Sequence, residues 1–403
     1  MTMSRWIGLV EVVGSVIRQL WNGMLFLALV FLPCDIDAQA QSRRAVDQKA
    51  NASAKSAPAT ITSAGRGASE VAERMRFDGR PPDPKLIFLA GNAWTIYASG
   101  PIDAEAGKRL EAYLAANRVP MQSHFYFDSP GGSLLAGMEL GRVIRKHELR
   151  TNVGAARVDN LTGHSAGPGG CFSSCALAFL GGKFRFLNKD ARYGVHRFSF
   201  KTPVASAVDV AQVASAAIVQ YLRDMDVDTG LFTLASSVGE SEIFEPTQSQ
   251  LTTLNVVNNG FTRPVWTIES APNGEGIYLK GERDTVFGMN KFMLLCDSKI
   301  ILLYAIFDPQ QREAEVLTFP VDYLVVDGRQ ERIDQARIFR KEVRGWINAS
   351  YKLTTAQVTA ISRAHTVGVA MMPREDSPAF LGFDSMPVDA GTAKIRGFIQ
   401  ACK

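Results

Sequence analysis

The chain has 403 residues, of which 46% are hydrophobic and 21% are charged. This is the composition of an ordinary globular protein, and the length is sufficient for two domains. Its 44 basic and 40 acidic residues give a formal net charge of +4. That balance argues against a nucleic-acid partner and against a membrane-surface protein.

The first 40 residues have the pattern of a secretory signal peptide. Arg5 and Arg18 precede an apolar run at residues 24–33, which is shorter than the roughly 20 apolar residues of a membrane-spanning helix. Ala38 and Ala40 supply the small residues of a cleavage site after Ala40. We therefore expect a periplasmic or secreted protein. The alternative is an uncleaved anchor, in which case this segment would be its contact with the membrane.

Residues 41–84 are rich in Ala, Ser, Arg and Gly and show no apolar periodicity, which is typical of a disordered linker. In residues 85–262 strand-like and helix-like patterns alternate, which predicts an α/β domain with crossover connections and a largely parallel sheet. Residues 263–403 are mainly strand-like segments separated by turn residues, with a helix at 390–402. They predict a smaller, mostly antiparallel β domain.

Within the α/β domain the apolar spacing and the helix-capping residues predict individual elements. In chain order these are a strand at 94–99, a helix at 104–117, a strand at 124–127, a helix at 134–146, a strand at 151–155, a loop at 160–170, strands at 183–187 and 192–196, and a helix at 207–225. In the second domain, strands are predicted at 264–270, 276–282, 291–297, 299–308 and 321–326.

Removal of the signal segment would take away Cys34 and leave an even number of cysteines, which is compatible with two disulfides in an exported protein. The four are Cys171, Cys175, Cys296 and Cys402. Sequence alone allows three pairings, and we favour Cys171 with Cys175 and Cys296 with Cys402. Cys171 and Cys175 also have a spacing that is seen between metal ligands. However, no His or Asp pair accompanies them at zinc spacing, so we predict no metal and no cofactor.

The stretch GGCFSSCALAFLGG places two serines directly before an apolar segment. A serine nucleophile needs a base and hydrogen-bond donors for the oxyanion. His196 ends a strand-like run, and the turn SPGGS offers the backbone N–H groups of Gly131 and Gly132 with no Cβ beside them. Taken singly, Ser174 is equally an ordinary helix N-cap, His196 a structural histidine and the glycines a turn.

Two longer segments, FDSPGGSLLAGMELGRVI and CFSSCALAFLGGKFRFLNKDARYGVHRF, resemble the proteolytic subunit of the Clp protease and its exported relatives. That family belongs to the Clp/crotonase superfamily, to which the bacterial signal peptide peptidases are related. The resemblance covers about residues 87–261. It implies a Clp/crotonase-like ββα spiral, with the helix at 207–225 in place of the family's handle helix, and a homo-oligomer.

The resemblance also implies roles for individual residues. Ser174 matches the nucleophile, with Ser173 as the second candidate, and His196 matches the general base. Gly132 and the N–H of Cys175 match the oxyanion donors, with Gly131 as the neighbour in the turn.

The third member of the triad departs from the family pattern. The family has an Asp before a segment similar to residues 243–257, whereas this chain has Glu242 there. A Glu orients the histidine in some triads, so Glu242 is the predicted acid. Glu240 and Asp228 are the alternatives.

These features predict an exported serine peptidase that cleaves peptide or protein substrates through an acyl-enzyme. It would be independent of ATP, because the chain has no nucleotide motif and the extracytoplasmic space lacks ATP. The alternative is a catalytically inactive member of the fold that acts as a binding or assembly protein of the periplasm. A third possibility is the acyl-thioester chemistry of the crotonase branch, which export disfavours because coenzyme A is cytoplasmic.

Overall fold

The structure is a computed structural model that describes residues 74–85, 87, 91–159, 163–199, 206–271 and 276–402. The predicted signal segment, Cys34 and most of the predicted linker lie outside these residues. The described chain has a mixed α/β architecture with several sheets, and it separates into two compact units between Gly260 and Phe261. No helix of the described ranges has the length and apolar character needed to cross a membrane.

The first unit is built on a sheet whose central strand, HFYFD, places Phe125 and Phe127 fully in the core. Within the described residues the strand order is β1-β2-β3-β4: Arg76–Arg80 (β1), Thr95–Ser99 (β2), His124–Asp128 (β3) and Arg150–Val153 (β4). Strands β2, β3 and β4 are parallel, whereas β1 runs antiparallel to β2 at the edge. The sheet is therefore largely parallel, with one antiparallel edge strand.

Two helices provide the crossovers between the parallel strands: α1 (Ala106–Asn117) and α2 (Leu134–Lys146). Helix α2 has the predicted bounds, because Ser133 Oγ accepts the N–H of Ala136 and caps its first turn. Helix α1 begins two residues later than predicted. The Asp103 carboxylate accepts the N–H of Glu105 ahead of the helix, and it also binds the Arg109 guanidinium and the N–H of Met75.

The remainder of the first unit consists of short elements around the two serines. They are β5 (Ala155–Asp159), β6 (Gly163–Gly167), β7 (Gly170–Phe172), α3 (Ser174–Phe179), β8 (Arg192–Gly194), α4 (Ala207–Asp224), α5 (Gly230–Ser236) and α6 (Gln248–Thr253). Strands β5 and β6 form a hairpin, whereas β7 and β8 are parallel. The predicted loop at 160–170 was therefore wrong in part, because it contains β6 and the first residue of β7.

The predicted strand at 183–187 is also absent from this part of the structure. Arg185 makes only an isolated bridge with Thr151, and its side chain is 1% exposed. Two backbone hydrogen bonds with Thr151 of β4 hold the segment, together with hydrogen bonds from the Arg185 guanidinium to backbone carbonyls, but the pairing does not extend into a strand.

The second unit contains antiparallel sheets over its described residues. One has the order β15-β16-β12-β11-β10-β9 and the other the order β14-β13-β17-β18. Their strands are Val265–Ser270 (β9), Ile277–Thr285 (β10), Gly288–Asp297 (β11), Ile300–Phe307 (β12), Val321–Val326 (β13), Arg329–Arg332 (β14), Ile338–Val343 (β15), Trp346–Lys352 (β16), Thr366–Met372 (β17) and Leu381–Pro387 (β18).

Helices α7 (Glu313–Thr318), α8 (Thr355–Arg363) and α9 (Thr392–Ala401) complete the second unit. Cys402, directly after α9, forms a disulfide with Cys296 of β11, which is the pairing that the sequence analysis favours. Ile395, Phe398 and Ile399 of α9 are buried in the core of this unit. The disulfide therefore attaches the C-terminal helix to the sheet against which it packs.

Candidate active site

A cavity of about 610 Å³ lies within the first unit, and Ser173, Ser174 and His196 all line it. Sites for small ligands span roughly 300–1,000 Å³ and are mainly apolar with a few polar groups. This cavity has that character. Its apolar lining includes Leu134, Leu177, Val195, Phe198, Leu222 and Phe232.

Ser173 joins β7 directly to α3 in a strained backbone conformation, with φ 59° and ψ −125°. A residue with a Cβ adopts this region at a cost of about 1–3 kcal/mol, and such strain clusters at active sites. A serine on a sharp strand-to-helix turn is also the arrangement that exposes the nucleophile of many hydrolases. The Ser173 side chain is half-buried, so it is more accessible than that of Ser174.

The side chain of Ser174 packs inward. Ser174 is 3% exposed, and its Oγ has no hydrogen-bond partner among the described residues. It lies against Gly137 of α2, where an added Cβ would come within 2.9 Å of the Ser174 Cβ and 2.5 Å of its carbonyl oxygen. Gly137 thus allows α2 to approach the first residue of α3 closely.

The SPGGS turn lies beside Ser173 and requires glycine. Gly131 has φ +96°, and a Cβ there would lie 2.6 Å from the Phe172 carbonyl oxygen and 2.8 Å from the Ser173 Cβ. The Gly131 N–H donates to Ser129 Oγ at 3.2 Å, so it is already engaged. The N–H of Gly132, in contrast, has no acceptor in the described parts of the chain.

The turn is anchored by backbone hydrogen bonds to Ile102, which accepts from Ser133 at 2.9 Å and donates to Gly131 at 2.8 Å. The N–H groups of Ser174 and Cys175 precede the first intrahelical hydrogen bond of α3 and also have no acceptor within the described ranges. Unpaired N–H groups therefore lie on the residues next to Ser173 and in the glycine turn, where an oxyanion would be stabilised.

His196 is half-buried and follows a backbone segment that is fixed on both sides. Val195 exchanges two hydrogen bonds of 2.9 Å with Phe244, and the N–H of Arg197 donates to the Val238 carbonyl at 3.2 Å. The Nδ1 atom of His196 is buried and has no hydrogen-bond partner in the described residues. The histidine is thus positioned by its backbone, and no acid of the described residues is hydrogen-bonded to its Nδ1.

In the described residues the predicted acid Glu242 forms no hydrogen bond or ion pair with His196. Glu242 is exposed, and so are the alternatives Glu240 and Asp228. The Asp228 carboxylate instead accepts the N–H of Gly230 at 2.7 Å. No group of three or more His, Cys, Asp or Glu side chains in the described ranges could hold a metal ion.

Cys171 of β7 and Cys175 of α3 form a disulfide that spans Ser173 and Ser174. Both cysteines are 0% exposed. The bridge links the strand before the strained turn to the helix after it, and it removes Cys175 as a free thiol.

Arg185 is a buried residue outside the cavity lining whose structural role the sequence pattern does not reveal. Its guanidinium donates to the carbonyls of Gly182 at 2.8 Å, Asn255 at 2.6 Å and Val256 at 2.9 Å. Burial, with a smaller contribution from Arg145, lowers the pKa of Arg185 to about 9. These bonds connect the segment after α3 to the segment after α6. Apolar periodicity does not reveal this role of Arg185, because the carbonyls of Asn255 and Val256 are distant from it in sequence.

No protein-family model matches the chain, and no curated protein sequence matches it. Among solved structures, the chain is similar to the catalytic domain of the ClpP protease from Plasmodium falciparum, with 14% sequence identity and a TM-score of 0.30. The match covers 40% of this chain and 81% of that one. A likeness of this degree carries no conclusion about the fold or the activity of this chain.

Proposed function

We propose that the protein is an exported serine peptidase whose nucleophile is Ser173. The observation that carries this proposal is the strained backbone of Ser173 at the junction of β7 and α3, inside a cavity that His196 also lines. Ser174 is the serine that matches the family's nucleophile by position in the sequence. Its buried Oγ is less accessible to a substrate than the half-buried side chain of Ser173.

In the proposed reaction, His196 removes the proton from Ser173 Oγ as the oxygen attacks the substrate carbonyl. The negative charge on the carbonyl oxygen is stabilised by the N–H groups of Gly132 and Ser174. His196 then gives its proton to the departing amine, which leaves an acyl group on Ser173. Water then attacks the acyl carbon while His196 takes its proton. The bond between the acyl carbon and Oγ breaks, the acid leaves, and His196 returns the proton to Ser173 Oγ. Loss of one such oxyanion donor typically lowers the rate about 10²- to 10³-fold.

The unpartnered Nδ1 of His196 favours slow turnover, because loss of the orienting acid costs about 10⁴-fold in a complete triad. The same observation favours the second candidate function, an inactive periplasmic protein that binds or assembles through this fold. The proposal also includes export, independence from ATP, a ββα spiral and assembly into a homo-oligomer. The two disulfides support export, because they persist in oxidising compartments.

The test is labelling of the purified protein with a fluorophosphonate, which reacts covalently with activated serines. Ser173→Ala, Ser174→Ala and His196→Ala are compared, with circular dichroism showing that each variant is folded. We expect labelling to be lost in Ser173→Ala and His196→Ala and retained in Ser174→Ala. Labelling lost in Ser174→Ala and retained in Ser173→Ala would move the nucleophile to Ser174. An unlabelled, folded wild-type protein would favour the binding function.

A further inference from the structure

The charges that line the cavity are not balanced. Asp103 and Arg197 are its charged lining residues in the described ranges. Arg109 binds Asp103 through two hydrogen bonds, of 2.7 and 2.5 Å, and these hold the pKa of Asp103 well below its usual range. The negative charge of Asp103 is thus already compensated, and Arg197 supplies the uncompensated charge.

Arg197 directly follows His196, and its backbone is fixed by the hydrogen bond to Val238. Its side chain is exposed and forms no hydrogen bond or ion pair with the described residues. The neighbouring Val195 and Phe198 belong to the apolar lining. A guanidinium in this place has its donors available, and their fork matches the two oxygens of a carboxylate.

We propose that Arg197 binds a carboxylate of the substrate close to the bond that is cleaved, while an apolar part of the substrate fills the cavity. This inference rests on the proposed peptidase function and names its substrate class. The preferred substrates are peptides that combine apolar side chains with a negative charge at the cleavage point. The charge is either the C-terminal carboxylate of a short peptide or the side chain of an adjacent Asp or Glu.

The expected contribution of Arg197 is moderate because its side chain is exposed. Exposed ion pairs contribute up to about 1 kcal/mol, which corresponds to about fivefold in an equilibrium constant. A bidentate contact at the edge of an apolar cavity is stronger. We therefore expect a preference of about five- to tenfold for the charged substrate, and its decline as the salt concentration rises.

The experiment measures kcat/KM with matched fluorogenic peptides of Leu and Phe residues. One pair differs by a free C-terminal carboxylate or a carboxamide, and a second, amidated pair differs by an internal Glu or Gln. The wild-type protein is compared with Arg197→Gln and with Arg223→Gln. Arg223 is an exposed arginine of α4 that does not line the cavity, so this control makes the same change in net charge.

We expect wild type and Arg223→Gln to prefer one of the charged peptides, and Arg197→Gln to lose that preference. The pair that shows the preference identifies the source of the carboxylate. Equal rates of the wild type on both members of each pair would overturn the inference. An equal loss of the preference in Arg197→Gln and Arg223→Gln would also overturn it. Cleavage of the uncharged peptides supports the peptidase independently. If no peptide is cleaved, the peptidase proposal fails, and calorimetric binding of the same pairs still decides the role of Arg197.

Discussion

The backbone N–H of Ser173 donates to the carbonyl of Gly194 at 3.0 Å. This bond continues the ladder in which Cys171 pairs with Tyr193 and Phe172 pairs with Gly194. The strand that leads into the strained serine is therefore paired with the strand that leads to His196. Backbone pairing, rather than a bond between side chains, fixes the relative register of the proposed nucleophile and base.

The first prediction concerns the glycine turn beside Ser173. Gly131→Ala places a methyl group against the Phe172 carbonyl and the Ser173 Cβ at a positive φ. The turn would have to shift and would carry the neighbouring Gly132 N–H with it, so we expect fluorophosphonate labelling to fall about 10²-fold, the effect of losing one oxyanion donor. Gly239→Ala is the matched control, because a Cβ there has no atom within 4 Å. Equal labelling of Gly131→Ala and wild type would remove the turn from the proposed site.

The second prediction separates the two disulfides. Replacing both Cys171 and Cys175 by alanine opens a loop with a sequence separation of only 4, whereas replacing Cys296 and Cys402 opens one of 106. In the chain-entropy account, the long loop is worth about 4.7 kcal/mol and the short one about 2 kcal/mol. We expect denaturant unfolding to show the larger loss for the Cys296–Cys402 pair. Labelling of Ser173 should instead fall most when the Cys171–Cys175 pair is removed. If labelling instead falls most when Cys296 and Cys402 are replaced, the shorter bridge does not support the turn.

The sequence was sufficient to predict those elements that local chemistry determines. Helix α2 has its predicted ends, because Ser133 caps it and its apolar residues recur at helical spacing. The strands β9 to β13 lie where alternating apolar residues between turns predict them. In these segments the local pattern and the tertiary packing favour the same structure.

The choice between Ser173 and Ser174 depends on information that the sequence does not contain. The two residues are identical and adjacent, and they differ in backbone conformation and burial, which follow from the junction of β7 with α3. The strand predicted at 183–187 is absent for a similar reason. Its alternation resembles a strand, but its structure depends on carbonyls of Asn255 and Val256, about 70 positions away.

The third prediction concerns Arg185. Arg185→Met retains much of the volume but leaves the carbonyls of Asn255 and Val256 without a donor, each at a cost of about 1–3 kcal/mol, whereas the Gly182 carbonyl also accepts from Arg145. Relief of the desolvation of the guanidinium offsets part of this cost, so we expect a net loss of roughly 3 kcal/mol in the free energy of unfolding. Chemical denaturation measures the loss, with the exposed Arg157→Met as control. A change below about 0.5 kcal/mol, which is typical of surface substitutions, would contradict the structural role of Arg185.

The last prediction concerns the ion pair of Asp103 and Arg109 at the edge of the cavity. The hydrogen bonds from Arg109 hold the pKa of Asp103 below its unfolded value, with burial opposing them. Because the folded pKa is the lower one, the stabilisation is fully present above about pH 4 and is lost as the pH falls towards the folded pKa.

The free energy of unfolding of the wild type should therefore exceed that of Asp103→Asn at neutral pH, and the difference should shrink as the solution is acidified below about pH 4. Arg109→Gln should reduce the pH dependence in the same direction but less completely, because it removes the Arg109 donors while the N–H groups of Glu105 and Met75 still bind the Asp103 carboxylate. Urea unfolding at a series of pH values measures both. A difference that stays constant from neutral to acidic pH would show that the variants act through packing and not through the ion pair.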